Sequence, residues 1–410
     1  MNTCITDHHY PSLAEAVTRL LSQAHPITAC ETVALLEADG RIIADDQRSG
    51  LDIPDVNRSA MDGYALRSVD VTASRTRLRI SQRIPAGATP AALEPGTAAR
   101  IYTGADVPAG ADAVVIQERT TAAGDHVIID DAVKPWQHIR CQGSQIQAGT
   151  TVLTAGTRLA PPQLALLASL GIAEVNVIRR LKVAIISNGN ELQPPGTMLQ
   201  TGHIYNANVY ALTPLLQRLG CEVTDLGIVE DDLASLSRIL RLAAEQFDVI
   251  ISSGGMSVGD TDHLKAAVTA LGELSMWRVA IKPGKPFGFG RIGNCSFLGL
   301  PGNPLSALVT FWLLARPLLQ ATQGGRFRPP LSLPIIADFD SPRPDTRECY
   351  VPGFLTLDAQ HQPVTRPHAI QDSSALISMV DTHGLIVIPA GQTVVRGDRV
   401  TFIPYAGLLG

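Results

Sequence analysis

Positive charge is what this chain lacks most visibly. Thirty-three lysines and arginines stand against 38 aspartates and glutamates, a formal net charge of −5 over 410 residues. That balance leaves no electrostatic footprint for nucleic acid or a lipid surface. Cysteine is scarce as well. The six cysteines, at 4, 30, 141, 221, 295 and 349, form no CxxC pair, which argues against a zinc cluster or a disulfide framework. Scattered single thiols fit a reducing cytoplasm. No apolar run reaches spanning length, and Met1-Asn-Thr-Cys-Ile-Thr-Asp-His-His lacks the basic-then-apolar order of a signal peptide. No low-complexity tract and no fixed-period repeat is present. A soluble cytoplasmic protein is expected, with no nucleic-acid and no membrane partner.

What remains is ordinary globular material, 45% apolar and 17% charged. A chain of this length suggests about two to four domains. Ser12 and Glu15 form a capping box at the head of an amphipathic helix over 11–24. From 51 to 139 the texture changes to short alternating runs separated by Pro/Gly turns, a β-rich insert. Two segments in it stand out from spacers, Asn57-Arg-Ser-Ala-Met-Asp-Gly-Tyr-Ala65 and Arg100-Ile-Tyr-Thr-Gly-Ala-Asp106, although for either one alone a plain hairpin turn is the stronger reading. Residues 140–178 return to the character of the first fifty, so 1–50 and 140–178 are expected to form one discontinuous domain. Strands at 181–187, 222–229, 248–253, 278–282 and 296–300 alternate with helices at 207–219, 233–246, 263–271 and 305–319. That is an α/β domain over 179–328 with a mainly parallel sheet. Short strands over 329–410 predict a small all-β barrel or sandwich. The fold class is therefore α/β plus all-β modules in a multidomain chain.

Three Gly-rich turns within 248–304 organise the rest. Asp248-Val-Ile-Ile-Ser-Ser-Gly-Gly255 runs on through Met256-Ser-Val-Gly-Asp-Thr-Asp262; the others are Ile281-Lys-Pro-Gly-Lys-Pro286 and Gly299-Leu-Pro-Gly-Asn-Pro304. In each, small residues let backbone N–H groups approach a ligand, and a helix or positive charge follows. With Asn188-Gly189 they fall beyond the carboxyl ends of strands, where ligands sit in such sheets. The expected ligand is phosphorylated or oxyanionic. Lys282 and Lys285 flank Pro-Gly, and two cations held close together repel unless an anion lies between them. Glu191, Asp231 with Asp232, Asp260 and Asp262 lie on or near the turns. Carboxylates beside a phosphate cradle suit Mg²⁺, although helix capping competes for Asp260 and Asp262.

These motifs resemble one family. Asn57–Ala65, Ile101–Asp106 with Ala113–Glu118, Ser252–Asp262, Ile281–Phe287 and Gly299–Ser306 are similar to the motifs of the molybdopterin molybdenumtransferases, the MoeA family, which includes the E domain of gephyrin. The resemblance runs nearly end to end. It implies a homodimer of elongated subunits, with the site between the α/β domain of one subunit and the β insert of the other. It implies Mg²⁺-dependent cleavage of adenylylated molybdopterin, release of AMP and transfer of molybdenum from molybdate to the dithiolene. An upstream molybdopterin adenylyltransferase would deliver the pterin. By position, Glu191, Asp231 and Asp262 would serve metal and nucleotide, and Ser252, Ser253, Gly254 and Gly255 would cradle the substrate. Lys282, Lys285, Arg347 and Ser373 or Ser374 would hold molybdate. Pro301, Gly302, Asn303 and Pro304 would shape the cradle, and Asp62 and Thr103 would reach in from the partner. Departures stand at Ser144, Gln145 and Asn190, where the family carries acidic groups, and at Arg278, which would bind substrate in place of a common lysine. They keep alternatives open: a slow paralogue, one of altered metal preference, or a gephyrin-like scaffold.

Overall fold

The computed structural model describes residues 10–256 and 263–408, apart from the side chains of Met276 and Trp277. Two compact units divide the chain: Met1–Ala44 with Gly156–Leu164 and Glu174–Gly410, and Asp45–Ala155 with Ala165–Ala173.

The first unit opens with helix α1 (Leu13–Ser22). Its capping box is formed as expected: Ser12 Oγ accepts from Glu15 N at 3.3 Å, and the Glu15 carboxylate accepts from Ser12 N at 2.8 Å. Strand β1 (Cys30–Ala34) follows. The second unit then contributes β2 (Gly63–Leu66), β3 (Thr76–Ile84), β4 (Thr97–Ile101), β5 (Ala113–Ile116), β6 (Thr120–Ala123) and β7 (His126–Ile129). They form one sheet in the order β5-β2-β4-β3-β7-β6. Its pleat is legible in the residues. Leu66, Ala98 and Val115 bury on one face, while their neighbours Ala65, Ala99 and Val114 bury on the other.

Back in the first unit, β8 (Glu174–Ile178) pairs antiparallel with β1. The α/β sheet comprises β9 (Lys182–Asn188), β10 (Glu222–Val229), β11 (Val249–Ser253), β12 (Glu273–Arg278), β13 (Pro286–Ile292) and β14 (Cys295–Leu300), in the order β10-β9-β11-β14-β13-β12. The first four are mutually parallel, and β13 and β12 extend the sheet antiparallel. Both faces are apolar, as covered parallel strands require. Val183, Ile185, Ile251 and Leu298 pack toward α2 (Asn208–Arg218) and the α-π-α helix α5 (Pro304–Thr322). Ala184, Ile186, Ile250 and Phe297 pack toward α3 (Leu233–Gln246) and α4 (His263–Leu271).

One expected strand needs correction: in place of a strand at 278–282, β12 ends at Arg278 and only Ile281–Lys282 is extended again. Strand β13 lies outside the expected set, and only its first residue, Pro286, falls in the lysine turn. Helix α5 is 19 residues long and apolar enough to span a membrane by length and composition alone, but 89% of its apolar window is buried, which makes it the core helix of this unit.

The C-terminal strands β15 (Leu333–Ala337), β16 (Glu348–Leu357), β17 (Pro363–Pro367), β18 (Gly384–Ile388) and β19 (Arg399–Pro404) close into a five-stranded barrel through the β16–β18 pairing. Ile281 and Lys282 add alongside Glu348 and Cys349 of β16, in parallel. That short pairing draws the lysine turn to the barrel. The described cysteines Cys30, Cys141, Cys221, Cys295 and Cys349 are free thiols, and burial pushes those of Cys221 and Cys295 up to about 12.

Candidate active site

Strands β9, β11 and β14 run parallel and end at Asn188, Ser253 and Leu300. Strand β13 runs the other way, so its first residue, Pro286, lies at the same edge. The Ser253–Gly255, 282–285 and 301–304 segments therefore meet, and with barrel loops they enclose a cavity of about 1100 Å³. Asn208 ties two of them together: its Nδ2 lies 2.7 Å from both Ser253 Oγ and Gly302 O. The first turn admits only glycine at Gly254, which has φ +92°, and a Cβ there would sit 2.4 Å from Asn188 O.

The lysine wall is not a bare pair of repelling charges. Lys282 Nζ donates to Asp345 Oδ2 at 3.1 Å, and Arg347 approaches the same carboxylate through Nε (3.0 Å to Oδ1) and Nη2 (3.2 Å to Oδ2). The Arg347 and Lys282 side chains and the Arg347 N–H hold the Asp345 carboxyl far below the usual carboxylate range. Lys285 has a different neighbour. Its Nζ lies 4.7 Å from the centroid of the Tyr10 ring, whose hydroxyl is 3.4 Å from Arg278 Nη1. Hydrogen bonds from Arg278 and Lys285 lower the Tyr10 phenol below its ordinary value. Ala280 N donates to Pro11 O at 2.9 Å and fixes this N-terminal segment to the turn. Arg278 itself does not line the cavity.

Ser373 and Ser374 reach the cavity from the barrel side. Asn303 Nδ2 donates to Ser373 Oγ at 2.9 Å, and Leu305 N donates to Ser373 O at 3.0 Å, so the third turn is fastened to that loop. Ser374 is held by Asp372. Ser252 is fully buried, and its hydroxyl bonds Gly254 O, a role inside the turn.

Of the acidic candidates, Glu191 lines the cavity and folds back over Gly189, its oxygens 2.7 and 2.8 Å from where a Cβ would stand. Asp231 accepts from Asn188 Nδ2 at 3.2 Å, and its own N–H donates to Asn190 Oδ1 at 3.1 Å. Asp232 caps α3, accepting from Ala234 N and Ser235 N. Asp260 and Asp262 lie outside the described residues. Buried Asn188 Oδ1 has no hydrogen-bond partner among the described residues. Among those residues no three His, Cys, Asp or Glu side chains gather into a metal cluster.

Asp62 and Thr103 come together in the second unit. Asp62 Oδ1 accepts from Thr103 N at 2.8 Å and Thr103 Oγ1 at 2.7 Å, and these two bonds lower its pKa. Asn188 lies at the strand edge as expected, whereas Asp345, Arg343, Asn208 and Tyr10 are absent from the expected site. Only Asp345, two residues before Arg347, carried a signal: a carboxylate beside a cation assigned to the anion.

Residues 11–171 match the MoeA N-terminal region (domain I and II), 184–321 a probable molybdopterin binding domain, and 335–405 the MoeA C-terminal region (domain IV). A molybdopterin molybdenumtransferase of Haemophilus influenzae is 40% identical over 403 residues, which is 97% of this chain and 100% of the relative. The chain belongs to the MoeA family. A second family member, from Nostoc, is 37% identical over 90% of this chain and 87% of its own, and it carries the same enzyme name. The crystal structure of a MoeA molybdopterin biosynthesis protein from Pyrococcus horikoshii superposes with a TM-score of 0.83 at 27% identity, covering 97% of this chain and 100% of that one. Family membership makes the chain a transferase of molybdenum cofactor biosynthesis.

Proposed function

We propose that this transferase takes molybdate and adenylylated molybdopterin, cleaves the pyrophosphate, releases AMP and leaves molybdenum on the dithiolene. The observation that carries the reading is the cavity's charge. Among the described residues, Lys282, Lys285, Arg343 and Arg347 line it against two carboxylates, Glu191 and Asp345, at the strand edge where three turns converge. Such a wall suits a tetrahedral oxyanion and a phosphorylated ligand. In this reading Lys282, Lys285, Arg347, Ser373 and Ser374 hold molybdate. Ser253, Gly254, Gly255 and the 301–304 turn cradle the phosphorylated pterin, and pinning both partners at one edge supplies proximity.

The donor chemistry near β9 fits Mg²⁺. Asp231 accepts from Asn188 Nδ2, Glu191 lines the cavity, and Asn188 Oδ1 has no partner among the described residues, an incomplete set for a cation that keeps water and takes substrate phosphate as further ligands. Glu191 and Asp231, with Asp262, are the residues to hold it. Bound there, Mg²⁺ would neutralise phosphate charge.

The same reading makes the protein a cytoplasmic homodimer in which Asp62 and Thr103 serve the partner's cavity, supplied by an adenylyltransferase that makes the pterin nucleotide. The test is to incubate purified protein with adenylylated molybdopterin, Mg²⁺ and molybdate and to measure AMP. Molybdate-dependent AMP release is expected. No release above a Lys282→Ala, Lys285→Ala control overturns the activity.

A further inference from the structure

Two cations in one short turn need a compensating anion. For Lys282 the chain supplies it. Asp345 accepts from Lys282 Nζ and Arg347 Nη2 on Oδ2, and from Arg347 Nε and Arg347 N on Oδ1. Those four bonds use the carboxylate's acceptor positions. The group lies in the cavity wall, with 22% of its side chain accessible, beside Lys282 at 52% and Arg347 at 28%. A ligand that is to contact Lys282 and Arg347 therefore arrives where a carboxylate already sits. Lys285 and Arg343, by contrast, line the same cavity, and among the described residues no carboxylate pairs with either.

We propose that Asp345 is a resident counter-anion of the oxyanion site and sets its selectivity by charge: a divalent oxyanion displaces it from Lys282 and Arg347, and a monovalent one does not. The inference rests on the reading that this wall binds an oxyanion. Exchanging one negative charge for two strengthens the attraction to all four cations. Exchanging one for one gains nothing, and the tethered carboxylate keeps the advantage of its high effective concentration. Asp345 thus raises the threshold for every anion and admits those of higher charge.

Calorimetric titration of sulfate, molybdate and nitrate into the full-length protein tests this. The wild type is expected to bind both dianions with nitrate more than about tenfold weaker, by the loss of one charge product at each cation. Asp345→Asn, which keeps an acceptor for the Arg347 N–H, should bind the dianions about five- to tenfold tighter and take up nitrate measurably. Asp345→Ser is the second variant should the first fold poorly, and the same rise is expected of it. Unchanged or weaker dianion binding in a folded variant, or equal sulfate and nitrate affinity in the wild type, overturns the proposal. A Lys282→Ala, Lys285→Ala protein separates the two ideas. Undiminished dianion binding there refutes the site itself, whereas lost binding with unimproved Asp345 variants refutes only the counter-anion.

Discussion

Lys282 and Lys285 sit in one turn but are held differently, and the difference can be measured. Lys282 is bound to a carboxylate, whereas Lys285 rests on the Tyr10 ring and is free of a carboxylate partner among the described residues. A cation over an aromatic face keeps its charge available while losing rotamer freedom. Tyr10→Ala is therefore expected to weaken molybdate binding about two- to fivefold, and Tyr10→Phe, which retains the ring, to lose little. Equal losses in both variants, read by calorimetry, would put the effect in the hydroxyl and not the ring. Asn190 gives a second case. Its Oδ1 accepts from Asp231 N at 3.1 Å, a bond an aspartate could also accept. Asn190→Asp should keep that bond, add charge beside Asp231 and lower the Mg²⁺ concentration giving half-maximal AMP release. An unchanged half-saturation point would mean that position 190 does not serve the metal.

The elements carry the site by where they stop. Gly254 follows β11 with φ +92°, and a Cβ there meets the Asn188 carbonyl at 2.4 Å, so Gly254→Ala strains the turn and pushes on β9 together. We expect a loss of about 1–3 kcal/mol of unfolding free energy by urea titration, with anion binding weakened further than stability alone requires. A variant of wild-type stability would show that the turn can relax. These turns were legible in the sequence because glycine and proline punctuate apolar runs. Helix α3 and strand β10 were legible through their periodicity, and their expected bounds match the observed Leu233–Gln246 and Glu222–Val229. Strand β13 was not: it begins at Pro286 in a turn motif, and its Gly288 and Gly290 read as further breakers. Strand β17 has proline at each end, which hides it the same way. Asp345 was missed for another reason. Its partner Lys282 is 63 residues away, and only the pairing of Ile281–Lys282 with β16 joins them.

At the scale of the whole molecule, the chain divides its candidate machinery between two compact units. The cavity and its lysines belong to one, and the Asp62–Thr103 pair belongs to the other. Thr103 donates two hydrogen bonds to Asp62 Oδ1 and stabilises its ionised form, so the pair presents an oriented carboxylate. If Asp62 of one subunit completes the cavity of another, single variants in the two units must complement. Asp62→Ala and Lys282→Ala are each expected to release little AMP alone. After subunit exchange at equal amounts, half of the dimers are mixed. Each mixed dimer has one site with both residues and one with neither, so recovery should approach about a quarter of wild-type activity. An assembly whose sites each use a single chain gives no recovery at any mixing ratio. Sedimentation as a monomer at the assay concentration would rule out the shared site before any mixing is done.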